Sequence, residues 1–179
     1  MNNQQLAENF RNFFEAACVE LFQSLGCEIT PADGEPFDKF DEPYTRIDAG
    51  CSDFELDIYL CLPYAALIMT YPIPNLHSTI PESELEDWLS ELSNLLMGRL
   101  KRTLTSYNFN LIIGLPDFSI GHPPQLRRST ASTSFSLRFA TESQIFEAGI
   151  TVELLSDNVQ LIEQNKIQPN VDDGDIEFF

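Results

Sequence analysis

The chain has 179 residues, a net charge of −18 at pH 7 and a pI near 4.2. Phosphate backbones and anionic lipid surfaces are bound by clustered Lys and Arg, so this charge argues against nucleic acid and membrane partners. Hydrophobic residues make up 43% of the sequence, which is enough to bury the core of one domain. We predict one domain at residues 1–157 and a mobile acidic tail at residues 158–179.

No segment predicts membrane insertion or export. Residues 58–69 are the longest apolar run, and Pro63 interrupts it, so the run is shorter than the roughly 20 residues that cross a bilayer. Residues 1–5 lack the basic and apolar regions of a signal peptide, so we expect a cytoplasmic protein. His77 and His122 are expected in surface loops. The cysteines lack C-x-x-C spacing and are expected in the core; they are Cys18, Cys27, Cys51 and Cys61.

The first half of the chain predicts a helix followed by three extended segments. Apolar residues recur at three- and four-residue steps over residues 4–25, which is typical of an amphipathic helix, and Gly26 is placed to end it. The following residues predict three strands, at 27–30, 44–49 and 54–62. The last two strands are predicted to form a hairpin. One or two helical turns are expected at residues 64–70.

The second half repeats this order. Pro81 suits the first turn of a helix over residues 81–107, with acidic residues near its start and basic residues near its end, as the helix dipole favours. Further strands are predicted at residues 109–115, 118–120, 132–140 and 145–155. We therefore predict an α+β fold in which two helix-plus-three-strand units form a mainly antiparallel sheet packed by two long helices.

The second long helix carries Glu91, Asn94 and Gly98 at intervals of three and four residues. At about 100° per residue, Asn94 lies about 60° and Gly98 about 20° to one side of Glu91, while Arg102 lies about 20° to the other. The helix's core-facing residues point the opposite way; they are Leu85, Trp88, Leu89, Leu92 and Leu96. The spacing predicts an exposed stripe on which Gly98 leaves the backbone open to another surface. A helix face that contacts only water gives the same spacing, so the residues alone leave both interpretations open.

The order of the chain and this stripe together resemble the CheX/CheC family of chemotaxis phosphatases. In that family a helix with E-x-x-N, commonly followed by three residues and Gly, precedes a strand that ends in a Leu-Pro step and a Gly. The matching residues are Glu91, Asn94, Gly98, Gly114-Leu115-Pro116 and Gly121. The first helix has no second E-x-x-N, since Glu20 is followed by Gln23, so the chain is more similar to the single-site CheX branch.

The resemblance implies a CheC-like fold and a phosphatase that acts on the phospho-aspartate of a CheY-like response regulator. Asn94 would orient the attacking water, and Glu91 would engage the regulator's phosphate-binding Lys. Gly98, Lys101 and Arg102 would help to dock the partner. The regulator's own acidic residues would hold Mg²⁺, so this chain would bind no metal or cofactor itself. A homodimer is expected by analogy with the CheX branch.

Two other functions fit the sequence. A non-catalytic adaptor of the same fold would bind a response regulator or a flagellar-switch component without releasing phosphate. A small acidic secretion chaperone is suggested by the size, the pI and the mixture of helix and strand, and it would bind an effector segment without needing Asn94.

Overall fold

A computed structural model describes residues 3–33, 42–72, 80–121, 132–156 and 159–162. Its elements, in chain order, are α1 (Asn3–Ser24), β1 (Thr30–Pro31), β2 (Pro43–Gly50), β3 (Phe54–Cys61), α2 (Tyr64–Thr70), α3 (Glu82–Thr105), β4 (Ile112–Ile113), β5 (Asp117–Ile120), β6 (Ser132–Ala140) and β7 (Ile145–Leu154). The predicted α+β class is confirmed, and the two long helices, the β2–β3 hairpin and the last two strands all lie close to their predicted positions.

The seven strands form one antiparallel sheet in the order β1-β6-β7-β3-β2-β4, and β5 also pairs with β2. The first unit contributes the hairpin β2–β3 and the second unit the hairpin β6–β7. The two hairpins meet at the centre of the sheet, where β3 pairs with β7. At each edge of the sheet, the first strand of one unit pairs with the second strand of the other. β1 of the first unit pairs with β6 of the second. β4 and β5, which together take the place of the first strand in the second unit, pair with β2 of the first. The strand order therefore stays the same when the two units are exchanged, which gives the sequence repeat a structural counterpart.

The hydrophobic core lies between the sheet and the two long helices. α1 packs against β6 and β7, and α3 packs against β2 and β3. Aromatic rings join the layers: the ring centroids of Phe10 and Phe54 are 4.9 Å apart, and those of Phe22 and Phe146 are 4.5 Å apart. Because this face holds both helices, the exposed side of α3 points away from the sheet.

Two strand predictions are only partly right, and in both cases the preceding helix ends in the same way. After α1, residues 27–29 are not in a strand, because the Cys27 amide donates to the Phe22 carbonyl at 2.9 Å and the Gly26 amide to the Gln23 carbonyl at 3.0 Å. Gly26 has a positive φ of 75°. This is the Schellman helix ending, and it uses the Cys27 amide of the predicted strand.

α3 ends in the same way. Phe109 donates to the Leu104 carbonyl at 3.1 Å and Asn108 to the Thr105 carbonyl at 3.0 Å, with Asn108 at a φ of 69°. The ending uses the Phe109 amide, and residues 109–111 lie outside the sheet, although Phe109 is buried in the core. Within the predicted strand at 109–115, Ile112–Ile113 alone is formed.

Some predictions fall outside the described residues. His77, His122 and residues 163–179 are among them, so the mobile acidic tail and the domain boundary stay predictions. Before that segment, Val159 is buried and Leu161 packs against the core. Cys18 and Cys61 are buried as expected, whereas the other two cysteines are only partly buried at the edge of the core.

Candidate functional site

The candidate site is built on α3, whose phase follows from its apolar spacing. The helix begins after Pro81, with Glu82 and Glu84 in its first turn and Arg102 in its last. Acidic residues near the N-terminus and a basic residue near the C-terminus both interact favourably with the helix dipole. The buried side consists of Leu85, Leu89, Leu92, Ser93, Leu96, Met97, Leu100 and Leu104. This continuous buried side fixes which residues face outward.

The outward side contains Glu91, Asn94, Leu95, Gly98 and Arg102, all of which are exposed. We call these five residues the α3 stripe. Among the described residues, no side-chain hydrogen bond or ion pair holds Glu91 or Asn94. Their carboxylate and carboxamide groups are therefore available to a partner, on the same side of the helix and one turn apart.

Two further residues adjoin the predicted stripe positions: Lys101 lies at the border of the stripe and Leu95 lies within it. Lys101, predicted to dock a partner, is only half-buried at the border of the stripe. Leu95 is 37% exposed and lies between Asn94 and Gly98. The stripe thus combines polar groups with one apolar side chain, a composition suited to a protein partner.

Gly98 leaves open space over the helix. A Cβ atom added at this position would have no heavy atom within 4 Å, apart from the neighbouring helix backbone. Packing within the chain does not require glycine here, and glycine in a helix interior lowers stability relative to alanine. The bare turn is therefore better explained by what approaches it from outside.

α1 borders the C-terminal half of the stripe. The Arg102 Nη2 and Glu20 Oε2 atoms are 3.8 Å apart, and the Arg99 Nη2 donates to Ser24 Oγ at 2.5 Å. The contacts on α1 move to higher residue numbers as those on α3 move to lower ones, so the helices are antiparallel. Sequence reasoning missed Glu20 and Ser24, because their position depends on how two distant helices pack.

α2 borders the N-terminal half. The rings of Tyr71 and Trp88 meet edge to face at 6.0 Å, and Trp88 Nε1 donates to Thr70 Oγ1 at 3.1 Å. Tyr71 also donates its hydroxyl to Glu84 at 2.9 Å, and this hydrogen bond raises the pKa of Tyr71. With α2 on one half and α1 on the other, the middle of the stripe, Glu91 to Gly98, is the part left open.

The Gly-Leu-Pro step lies at the sheet edge beside α3. The Gly114 amide donates to the Asp48 carbonyl at 2.8 Å, and a Cβ atom on Gly114 would lie 2.7 Å from Asp48 Oδ1. A side chain at this position would have to displace the exposed Asp48 carboxylate. Leu115 is 87% exposed, and Pro116 separates β4 from β5. The step therefore divides the edge strand in two, and both parts pair with β2.

The α3 stripe is an exposed helix face. Two pockets in the described structure lie around the β2–β3 turn, at Gly50 and Glu55, and α3 stripe residues line neither of them. Among the described residues there is also no cluster of His, Cys, Asp and Glu that would hold a metal ion. No helix in the described part of the chain is long and apolar enough to cross a membrane. A convex helix face suits a macromolecular substrate better than a small molecule.

No protein-family model and no curated protein matches the sequence. Solved structures do match. CheX from Vibrio vulnificus aligns with a TM-score of 0.67 and 16% identity, covering 81% of this chain and 99% of that one. The CheX of a CheX–CheY–BeF₃–Mg²⁺ complex from Borrelia burgdorferi aligns with a TM-score of 0.57 and 16% identity, covering 82% of this chain and 96% of that one. The FliM middle domain of Vibrio alginolyticus aligns with a TM-score of 0.52 and 10% identity, covering 80% and 90%.

These comparisons confirm the predicted resemblance at the level of the fold. The chain has the fold of CheX and CheC-like chemotaxis proteins over most of its length. Because a fold can support more than one function, the roles of individual side chains have to be argued from the stripe itself.

Proposed function

We propose that this chain is a cytoplasmic phosphatase that hydrolyses the phospho-aspartate of a CheY-like response regulator. The observation that carries this proposal is the joint exposure of Glu91 and Asn94 on one side of α3, within a CheX-like fold. The CheX of Borrelia burgdorferi is seen with CheY, BeF₃ and Mg²⁺. BeF₃ bound to a carboxylate has the tetrahedral shape of a phosphoryl group, so that complex is a useful guide to the partner of the α3 stripe.

Asn94 is the residue that we assign to the chemical step. Water attacks the phosphorus in line, the bond from phosphorus to the aspartate oxygen breaks, and the products are inorganic phosphate and a free carboxylate. Positioning and electrostatics contribute most of the catalysis in such reactions. The carboxamide of Asn94 has an oxygen that accepts a hydrogen bond from the water and an N–H group that donates to a phosphoryl oxygen. It therefore fixes the direction of attack.

Docking is the role that we assign to the other stripe residues. Glu91 pairs with the regulator's phosphate-binding Lys and sets the position of Asn94 one turn away. Gly98 lets the partner approach the helix backbone, and Lys101 and Arg102 face acidic groups of the partner. The regulator's acidic residues hold Mg²⁺, so this chain supplies no metal ligand.

Phosphate release from purified CheY-like regulators tests the chemical step. Asn94→Ala should reduce the stimulated rate by at least about tenfold, to near the rate of the regulator alone, because water positioning is lost. Asn12→Ala is a matched control, since Asn12 is also an exposed asparagine in a long helix. Equal rates for Asn94→Ala and wild type would exclude catalysis by Asn94.

Glu91→Gln tests the docking step with the same assay. It should raise KM more than it lowers kcat, because the pairing with Lys holds the partner in both the ground state and the transition state. Glu8→Gln gives the same charge change at a partly exposed position of α1 and should leave both constants unchanged. An effect of Glu91→Gln on kcat alone would move Glu91 from docking to chemistry.

A non-catalytic binding protein is the second candidate. The match to the FliM middle domain favours this second candidate, because a protein that is not named as a phosphatase has the same fold. Such a protein would bind a regulator without accelerating loss of its phosphate. A pull-down that captures the regulator equally with and without phosphorylation, combined with no added phosphate release, would select this function.

A homodimer is the oligomeric state that we propose, by analogy with the CheX branch. Sedimentation equilibrium at micromolar protein concentrations measures it directly. A monomer throughout that range would contradict the analogy but would leave the roles of Glu91 and Asn94 unaffected.

A further inference from the structure

Ser93 breaks the apolar pattern of α3 immediately before Asn94. It lies on the buried side of the helix among leucines and is only 1% exposed. Its hydroxyl forms a hydrogen bond with the hydroxyl of Thr45 on β2, which is 0% exposed. In the described structure, each of these two side chains has the other as its only hydrogen-bond partner.

Other hydroxyls on α3 behave differently. Ser90, Thr103 and Thr105 each donate to the helix carbonyl four residues earlier, at distances of 2.8–3.3 Å. That bond is the usual solution for Ser and Thr within a helix, and it leaves the helix free of directional links to its surroundings. Ser93 instead bonds to the sheet, across 48 residues of sequence.

A directional bond at this point restricts how α3 can turn. The leucines on the buried side contribute non-directional contacts, which tolerate small rotations of a helix against a sheet. A hydrogen bond between hydroxyls needs a donor–acceptor distance of about 2.5–3.0 Å and weakens steeply below an angle of about 120°, so the Ser93–Thr45 bond resists rotations that pull its two oxygens apart. With side chains about 5–6 Å from the helix axis, a rotation of about 10° moves their ends by about 1 Å. Displacements of that size are enough to reduce a reaction rate by about 100-fold.

We infer that the Ser93–Thr45 bond fixes the rotation of α3, so that Ser93 and Thr45 are positioning residues for Asn94. This inference rests on the proposed phosphatase function. Neither side chain reaches the surface, so neither touches a partner, and each acts only through the direction in which Glu91 and Asn94 point.

A double-mutant comparison separates positioning from simple stability. Ser93→Ala and Thr45→Val each leave one buried hydroxyl without a partner, so each should lower Tm. The double variant removes both hydroxyls and should recover most of the Tm loss. If the bond positions Asn94, kcat for phosphate release stays at least about tenfold below wild type in the double variant, while KM changes less than about threefold. Recovery of both Tm and kcat would overturn the inference.

Two further variants sharpen the test. Thr45→Ser keeps the hydroxyl and loses only a methyl group, so it should retain kcat within about threefold of wild type. Ser90→Ala removes a neighbouring hydroxyl that bonds only within the helix, and its kcat should not change. A loss of kcat in Ser90→Ala as large as in Ser93→Ala would show that any hydroxyl lost from this helix has the same effect, and would also overturn the inference.

Trp88 supplies a readout that does not depend on activity. It is the only tryptophan in the sequence, it lies on α3, and it packs against Tyr71, which directly follows α2. Rotation of α3 should shift its fluorescence emission in the double variant, whereas Thr45→Ser and Ser90→Ala should keep the wild-type spectrum. If the wild-type protein releases no phosphate, the proposed function fails, and the Trp88 spectrum alone decides the inference: a shift supports it, and an unchanged spectrum overturns it.

Discussion

Arg102 of α3 and Glu20 of α1 form an ion pair across the two long helices, with 3.8 Å between Arg102 Nη2 and Glu20 Oε2. Both side chains are more than half exposed, at 69% and 62%, so water screens the attraction and the pair contributes little to stability. The same guanidinium lies on the α3 stripe. A partner with acidic groups therefore competes with Glu20 for Arg102.

Removing this competitor should strengthen docking. We expect Glu20→Gln to lower KM for a phosphorylated regulator by about two- to fivefold at low ionic strength, with kcat unchanged, and the gain should fade as salt screens the charges. Glu8→Gln makes the same charge change in the partly exposed Glu8–Arg11 pair of α1, away from the stripe. If both variants lower KM equally, the effect comes from net charge and not from Arg102.

Gly98→Ala should separate stability from docking. Because the added Cβ meets open space, we expect the free energy of unfolding to rise by about 0.5–1 kcal/mol, the usual gain for alanine over glycine in a helix. Urea unfolding measures this. If the partner approaches the bare turn, KM rises at the same time. A more stable protein with unchanged KM would show that the partner does not contact Gly98.

The sequence was sufficient for features that depend on local spacing. The phase of α3 follows from its leucines, so the exposure of Glu91, Asn94 and Gly98 could be predicted without a fold. The ends of both long helices could be placed only approximately, since a Schellman ending depends on one residue, Gly26 or Asn108, adopting a positive φ. Asn108 was the signal in the sequence for the end of α3, because asparagine adopts a positive φ more readily than most residues.

Contacts between distant elements could not be predicted. Ser93 lies on the buried side of α3, and the sequence shows this polar residue among leucines. Its partner could not be predicted, because Thr45 is 48 residues away on a strand whose register was unknown. The position of Glu20 beside Arg102 likewise depends on the antiparallel packing of α1 and α3.

The Arg46–Asp57 ion pair on the other face of the sheet should respond unequally to loss of its two partners. Arg46 Nε donates to Asp57 Oδ1 at 2.7 Å, and Asp57 is 4% exposed. The hydrogen bond with Asp57 is the main cause that raises the pKa of Arg46, and Asp48 and Asp117 add to it. Arg46→Gln leaves a buried carboxylate near two further acids, whereas Asp57→Asn leaves Arg46 with those two acids as partners.

We therefore expect Arg46→Gln to lower the free energy of unfolding by about 2–4 kcal/mol and Asp57→Asn to lower it by roughly half as much. Chemical denaturation of both variants at pH 7 gives the comparison. Equal losses would mean that Asp48 and Asp117 do not compensate Arg46.

Alkaline pH should destabilise the protein through its buried thiols and one tyrosine. Burial raises the pKa of Cys18 and of Cys61 above the ordinary value of 9.0, and burial together with the hydrogen bond to Glu147 raises the pKa of Tyr59 above 10.0. The folded state thus keeps these groups protonated after the unfolded state has lost its protons. Their contribution to stability is complete below about pH 9 and is lost as pH rises beyond it.

Each such group should reduce the free energy of unfolding by about 1.4 kcal/mol per pH unit above its ordinary pKa. Cys18→Ala removes one of them, so its free energy of unfolding, although lower at pH 7 because of the lost volume, should decline less steeply between pH 9 and 10.5. Val19→Ala, on the same helix, removes volume without removing a titrating group and should keep the wild-type slope. Parallel curves for all three proteins would show that Cys18 ionises equally readily in the folded and unfolded states.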